Sequence, residues 1–271
     1  MSFIYNGKFS RSVSFIRHAP LLVFARFPFG TFVVTWRAPE EPALSKQSSK
    51  PEEIPNSLAS SVARVASEEW WYFGCQYVDS DDSKAQIQIA DEAHITKGDG
   101  SSPGFRERIW SYFRFGVFDG GDEWQNYTSW AWSGAFISHC FRQAGFADQF
   151  PYSPAHFRYV MEGVKNRADN LPGLKTYGTN ESRPQVGDLL FKGRMETAGW
   201  SYPDLLKHYE TGGGHFRSHC DIVVDIDEAA GHLFLIGGNV RNRVLRLKVN
   251  LDDAGHAVSK IYTALVSVQE I

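Results

Sequence analysis

The chain has 271 residues, is 42% hydrophobic and 22% charged, and carries a formal net charge of -3 with a pI near 6.3. That length supports one large domain or two small ones with a proper core, and the charge balance lacks the basic excess a broad nucleic-acid surface needs. Three cysteines, Cys75, Cys140 and Cys220, make neither a disulfide framework nor a zinc ribbon.

Residues 1–36 differ from the rest. Lys8, Arg11 and Arg17 precede two apolar runs, Ala19 to Ala25 and Phe27 to Trp36, broken by Arg26, Pro28 and Gly30. The pattern fits either an export leader or a poorly ordered extension, and neither run is long enough to span a bilayer. Residues 37–57 are rich in Pro, Ser, Glu and Lys and read as a linker. The expected organisation is therefore a leader or extension plus linker over 1–57 and one folded domain over 58–271.

Leu58 to Gly74 carries apolar residues at three- and four-residue spacings and predicts a helix. Ile87 to Ile95 is ambiguous between strand and helix, and Phe105 to Phe115 reads as an aromatic amphipathic helix. A central helix follows, with Ser133 in its first turn, apolar residues at Ala135, Phe136, Cys140 and Ala144, and Gly145 as its stop. A further helix is expected from about Ala155 to Asn166, capped by Ser153. Leu171 to Arg183 and Gly199 to Gly214 read as loops. Pro184 to Asp188 turns into a strand, and four short runs, His219 to Ile226, His232 to Ile236, Val244 to Leu251 and Lys260 to Val268, read as sheet. Helices first and strands afterwards argue an α+β fold with an antiparallel sheet.

Three features combine into candidate chemistry. Ser133 stands at a helix head, where the dipole and backbone N–H groups favour negative charge. His219 opens a β run in Ser218-His219-Cys220-Asp221-Ile222-Val223, and Asn239 follows Gly237-Gly238 after the next strand. Nucleophile, base and orienting amide in that order form the layout of a Cys/His/Asn-type hydrolase site. The imidazole takes and returns a proton, and the amide carbonyl fixes its tautomer. Each residue also has a plainer use: Ser133 as a helix cap, Asn239 as a turn residue, Cys140 as core. His215 rivals His219. His215, His219 and Asp221 form a conceivable metal set, but the segment reads as loop into strand, so neither metal nor cofactor is expected.

These motifs resemble the papain-like bacterial cell-wall hydrolases of the NlpC and CHAP kind. The resemblance rests on Trp132-Ser133-Gly134-Ala135-Phe136-Ile137 through Gln143-Ala144-Gly145, on Pro184, Gly187 and Asp188, on His219, and on Gly237-Gly238-Asn239. That family uses Cys where this chain has Ser133. An uncharacterised bacterial branch is similar in carrying Trp-Ser there, an isolated His before a Tyr (His156 and Tyr159), and the His-Cys-Asp-Ile-Val string. The resemblance implies a papain-like α+β domain hydrolysing a peptidoglycan amide bond with Ser133, His219 and Asn239. Trp130, Trp132, Tyr152, His156 and Asp221 are then candidates for the substrate groove. It also implies a peptidoglycan or muropeptide partner and a periplasmic or secreted location, with a cytoplasmic stage before export, while the charge balance argues for no nucleic-acid partner. A delivery or immunity partner is added if the protein is a toxin. The alternative is an inactive fold that binds cell wall. Serine makes the difference serious, because a helix terminus worth about 1 kcal/mol eases ionisation of a thiol but cannot ionise a hydroxyl.

Overall fold

The computed structural model describes residues 57–75, 77–79, 103–127, 129–240 and 243–268. The proposed leader and the segment Ile87 to Ile95 lie outside the described residues. Helix α1 is Leu58–Tyr72, capped by Ser57, whose hydroxyl accepts from the Ser60 N–H. Helix α2, Pro103–Ser111, passes into a π-helical stretch, Tyr112–Val117. Helix α3, Ser133–Ala144, ends at Gly145 in the left-handed conformation that only glycine adopts without cost. Helices α4, Phe157–Ala168, and α5, Tyr202–Glu210, follow.

Among the described residues the sheet has eight strands. They are β1 Tyr77–Asp79, β2 Lys175–Gly178, β3 Leu189–Gly193, β4 Ser218–Asp227, β5 His232–Val240, β6 Arg243–Leu251, β7 Ala257–Val258 and β8 Ala264–Ser267. Their order is β1-β6-β5-β4-β3-β8-β2, with β7 on β6. The fold is α+β, with helices packed on a mixed sheet. Every described pairing is antiparallel except β1 on β6, which is parallel and corrects the purely antiparallel expectation. Two other expectations fail. The supposed loop at 171–183 contains β2, and the Gly199 to Gly214 stretch contains α5, started by a Ser201 and Asp204 capping box.

Strand periodicity divides the core in two. Leu189, Phe191, Cys220, Ile222, Ile236 and Val266 face the helices, while Leu190, Val223, Leu235, Leu245 and Leu265 face the opposite side of the sheet. Helix α3 runs through the middle of the first core. Every residue from Ser133 to Phe141 is buried, which is why its sequence shows apolar or small residues on nearly all sides. The Pro184–Asp188 turn is closed by the Asp188 carboxylate, which accepts from the N–H groups of Gln185 and Val268.

A second polar cluster ties the helices together. Glu69 of α1 is buried and accepts from Arg108 and, at 2.6 Å, from the Tyr112 hydroxyl, with His139 Nε2 at 3.5 Å. Burial raises its pKa, but the bonds from His139, Arg108 and Tyr112 outweigh that and lower it to about 2. A carboxyl depressed from about 4.5 contributes stability above that value and loses it as pH falls through 2. Glu69→Ala should therefore cost about 3 kcal/mol, because Arg108 and Tyr112 are left without their acceptor. Chemical denaturation between pH 7 and 2 should show the wild type losing stability below pH 4.5 and the variant losing correspondingly less.

Candidate functional site

Ser133 is the first residue of α3. Trp132 takes the N-cap position without a side-chain cap, so the helix amides meet no side-chain acceptor from the cap. Gly134 explains how a partner reaches Ser133. A Cβ at Gly134 would collide with the Pro154 carbonyl, so glycine lets the 153–156 segment cross the helix head. Ser138 pins that segment, donating to the Ser153 carbonyl at 2.8 Å and accepting from the Ser153 N–H at 3.0 Å. The result sets His156 Nε2 at 2.8 Å from Ser133 Oγ. His156, read from the sequence only as a cleft residue, is the direct partner of Ser133.

The other side of His156 fixes its protonation. Nδ1 receives the Cys220 backbone N–H at 3.2 Å and the Tyr159 hydroxyl. A backbone amide can only donate, so Nδ1 keeps its lone pair and the ring proton sits on Nε2. His156 thus donates to Ser133 Oγ, and the Ser133 proton is free to point into the cleft. Burial, reinforced by the charge of neighbouring His219, holds the His156 pKa well below its usual value.

His219 packs on His156 with ring centroids 5.0 Å apart, but its hydrogen bond goes to Asp221. Asp221 Oδ1 accepts from Nε2 at 2.8 Å, while Oδ2 accepts from Lys192 at 3.0 Å and from the Tyr262 hydroxyl. Burial opposes ionisation of Asp221, but His219, Lys192 and Tyr262 hold its carboxyl well below the usual range. With Nε2–H donated to a carboxylate, His219 keeps its lone pair on Nδ1. Burial lowers its pKa to about 4, against the pull of Asp221.

The Gly-Gly-Asn string has a packing reason at each position. A Cβ at Gly237 would strike the Asp221 carboxylate, and one at Gly238 would strike Phe136 and Trp132. Asn239 then sits at φ 57°, where the β5–β6 register shifts. It faces the cleft and is not the partner of His219, whose orienting group is Asp221.

The cleft has a volume of about 280 Å³ and opens beside Ser133, His156 and Asn239, with Trp130 and Met195 on its rim. Other expected groove residues lie elsewhere. Trp132 is in the core beside Phe73 and Tyr112. Tyr152 is half-buried under the Arg142 guanidinium, 3.8 Å from its ring centre. His219 and Asp221 lie behind His156 rather than on the wall. Cys140 is fully buried, and desolvation pushes its thiol well above the ordinary range, which removes it as a nucleophile. Arg194, Met195 and Arg217 line the cleft and were not visible in the sequence, which offers no periodicity in that turn.

Both imidazoles should stay neutral to well below pH 6.5 with their protons on Nε2. Nitrogen-15 NMR should show an unprotonated Nδ1 on each, and a protonated Nδ1 on His156 would overturn the tautomer assignment. Because these pKa values are depressed on folding, stability should fall as pH drops from about 6.5 towards 4.

No curated protein and no solved structure matches the chain. A family model described as "Uncharacterized protein conserved in bacteria (DUF2272)" matches residues 100–267, which include Ser133, His156, His219 and Asn239. The chain belongs to that bacterial family.

Proposed function

We propose that this domain is a papain-like hydrolase acting on amide bonds of peptidoglycan peptides, with Ser133 as the group that meets the substrate carbonyl. The observation that carries the reading is Ser133 Oγ at an open cleft, at the head of a buried helix and bonded to a buried imidazole. The α3 amides supply donors for an oxyanion. The base is His219, because its Nε2 is held by Asp221 and its Nδ1 can accept a proton. His156 already carries a proton on the nitrogen facing Ser133 and cannot serve as the base. Hydrolysis therefore requires His219 to close on Ser133 in the substrate complex. Attack then puts the Ser133 proton on His219, which returns it to the leaving amine, and water releases the acyl group by the reverse route. Such a substrate places the domain in the periplasm or outside the cell.

The donor tautomer of His156 favours a second reading, in which Ser133 only donates a hydrogen bond to a bound cell-wall peptide. Purified protein on sacculi, with fragments read by mass spectrometry, separates the two. The hydrolase reading expects wild type to release fragments and Ser133→Ala and His219→Ala to lose about 100-fold or more. Binding without release by wild type, with cleavage gained in Ser133→Cys, establishes the binding reading instead. Undiminished cleavage by Ser133→Ala reduces Ser133 to a structural role.

A further inference from the structure

The cleft next to Ser133 is built from donors. Ser133, Arg194, His215, Arg217, Ser218 and Asn239 contribute its polar lining, and no Asp or Glu lines it among the described residues. The two arginines are fixed side by side. Arg194 follows β3 and Arg217 precedes β4, and the Arg194 N–H donates to the Arg217 carbonyl at 3.0 Å. Buried Thr197 clamps the same junction, its Oγ1 accepting from the Arg194 N–H at 2.9 Å and lying 2.5 Å from the Arg217 carbonyl. Gly193 is needed there, since a Cβ would collide with Thr197.

The clamp has a conformational cost. Met195, next to Arg194, is held at φ 54°, a region unfavourable for an unbranched side chain by about 1 kcal/mol or more. Its side chain is 73% exposed on the rim, so burial of Met195 does not repay that cost. Arg217 has Glu196 at 3.9 Å. Arg194 has no carboxylate within ion-pair distance among the described residues, although its charge reaches inward far enough to lower the pKa of His156 and His219. Two adjacent guanidiniums with one exposed carboxylate beside them form a local excess of positive charge on a chain whose net charge is -3. Ser218 also lines the cleft, and its hydroxyl makes no hydrogen bond to the described residues.

We infer that the cleft recognises a carboxylate on its peptide ligand, bound by Arg194 with Arg217 in support, beside the carbonyl presented to Ser133. The inference rests on the peptidoglycan-peptide reading and names the chemical group that selects the ligand. Guanidinium suits this group because its fork matches both carboxylate oxygens, which a Lys ammonium does not. Trp130 and Met195 cover the apolar part of the same ligand at the rim.

The test uses the full chain carrying Ser133→Ala, so that bound peptide is not consumed. Stem peptide released from sacculi is presented as the free acid and as the chemically amidated form, and binding is followed by calorimetry. The free acid should bind at least about tenfold more tightly than the amide. Arg194→Gln should remove that preference, Arg194→Lys should restore only part of it, and rising salt should weaken the acid alone. Arg194 is exposed, and an unchanged melting temperature checks that the variant is folded. Equal affinity for acid and amide, or an undiminished preference in Arg194→Gln, overturns the inference and leaves hydrolysis to be judged by fragment release. Failure of both forms to bind also overturns it, and where wild type still cuts sacculi the hydrolase reading survives alone.

Discussion

The amide of Cys220 donates to His156 Nδ1 over 3.2 Å, and the chemistry available to Ser133 follows from that bond. A side-chain partner could reverse its role by rotating or changing protonation, but a backbone N–H held in a sheet cannot. It fixes the proton on Nε2, makes His156 a donor, and turns the hydrogen of Ser133 outward. The same residue belongs to β4, whose neighbouring positions carry His219 and Asp221. One strand therefore sets the tautomer of the first imidazole and supplies the second. The two rings differ in what they present: the ring touching Ser133 offers its N–H to that oxygen, and the ring behind it keeps an unprotonated Nδ1.

Close packing makes this arrangement possible. Gly134 admits the segment that brings His156 to the helix head, while Gly237 and Gly238 let β5 pass against Asp221 and the Phe136 side of α3. None of the three glycines faces the cleft, yet a methyl group at Gly134 or Gly237 would displace a member of the site, and one at Gly238 would strike the core packing of Phe136 and Trp132 beneath it. The chemistry depends on backbone proximity as much as on side-chain identity, because interiors have no slack for an extra carbon.

Much of this was legible in the chain. The head and stop of α3, the Pro184–Asp188 turn and the later strands carry local signals, namely spacing, glycine and β-branched alternation, and they fold nearly where those signals place them. The pairing of Ser133 with His156 was hidden, because 23 residues separate them and their contact depends on a segment crossing the helix. Asp221 stands two residues from His219, so on a strand both face the same side, but nothing in the sequence ranks its bond above one from Asn239. Helix α5 was masked by glycines on both sides although its capping box was written in Ser201 and Asp204. Trp130 and Trp132 looked equivalent, and only the tertiary packing sends one to the rim and the other to the core.

Met195 and Asn239 stand on different elements, both adopt left-handed backbone, and both border the same cleft. Left-handed geometry is uncommon for residues other than glycine, and its cost falls on the whole domain rather than on the site. Two such residues at one cavity mean that its walls are held in shape by the surrounding fold, as a mould is held by its frame. The outline of the cleft at these two positions is therefore present before any ligand arrives, and the movement that hydrolysis would require falls on His219, behind the wall.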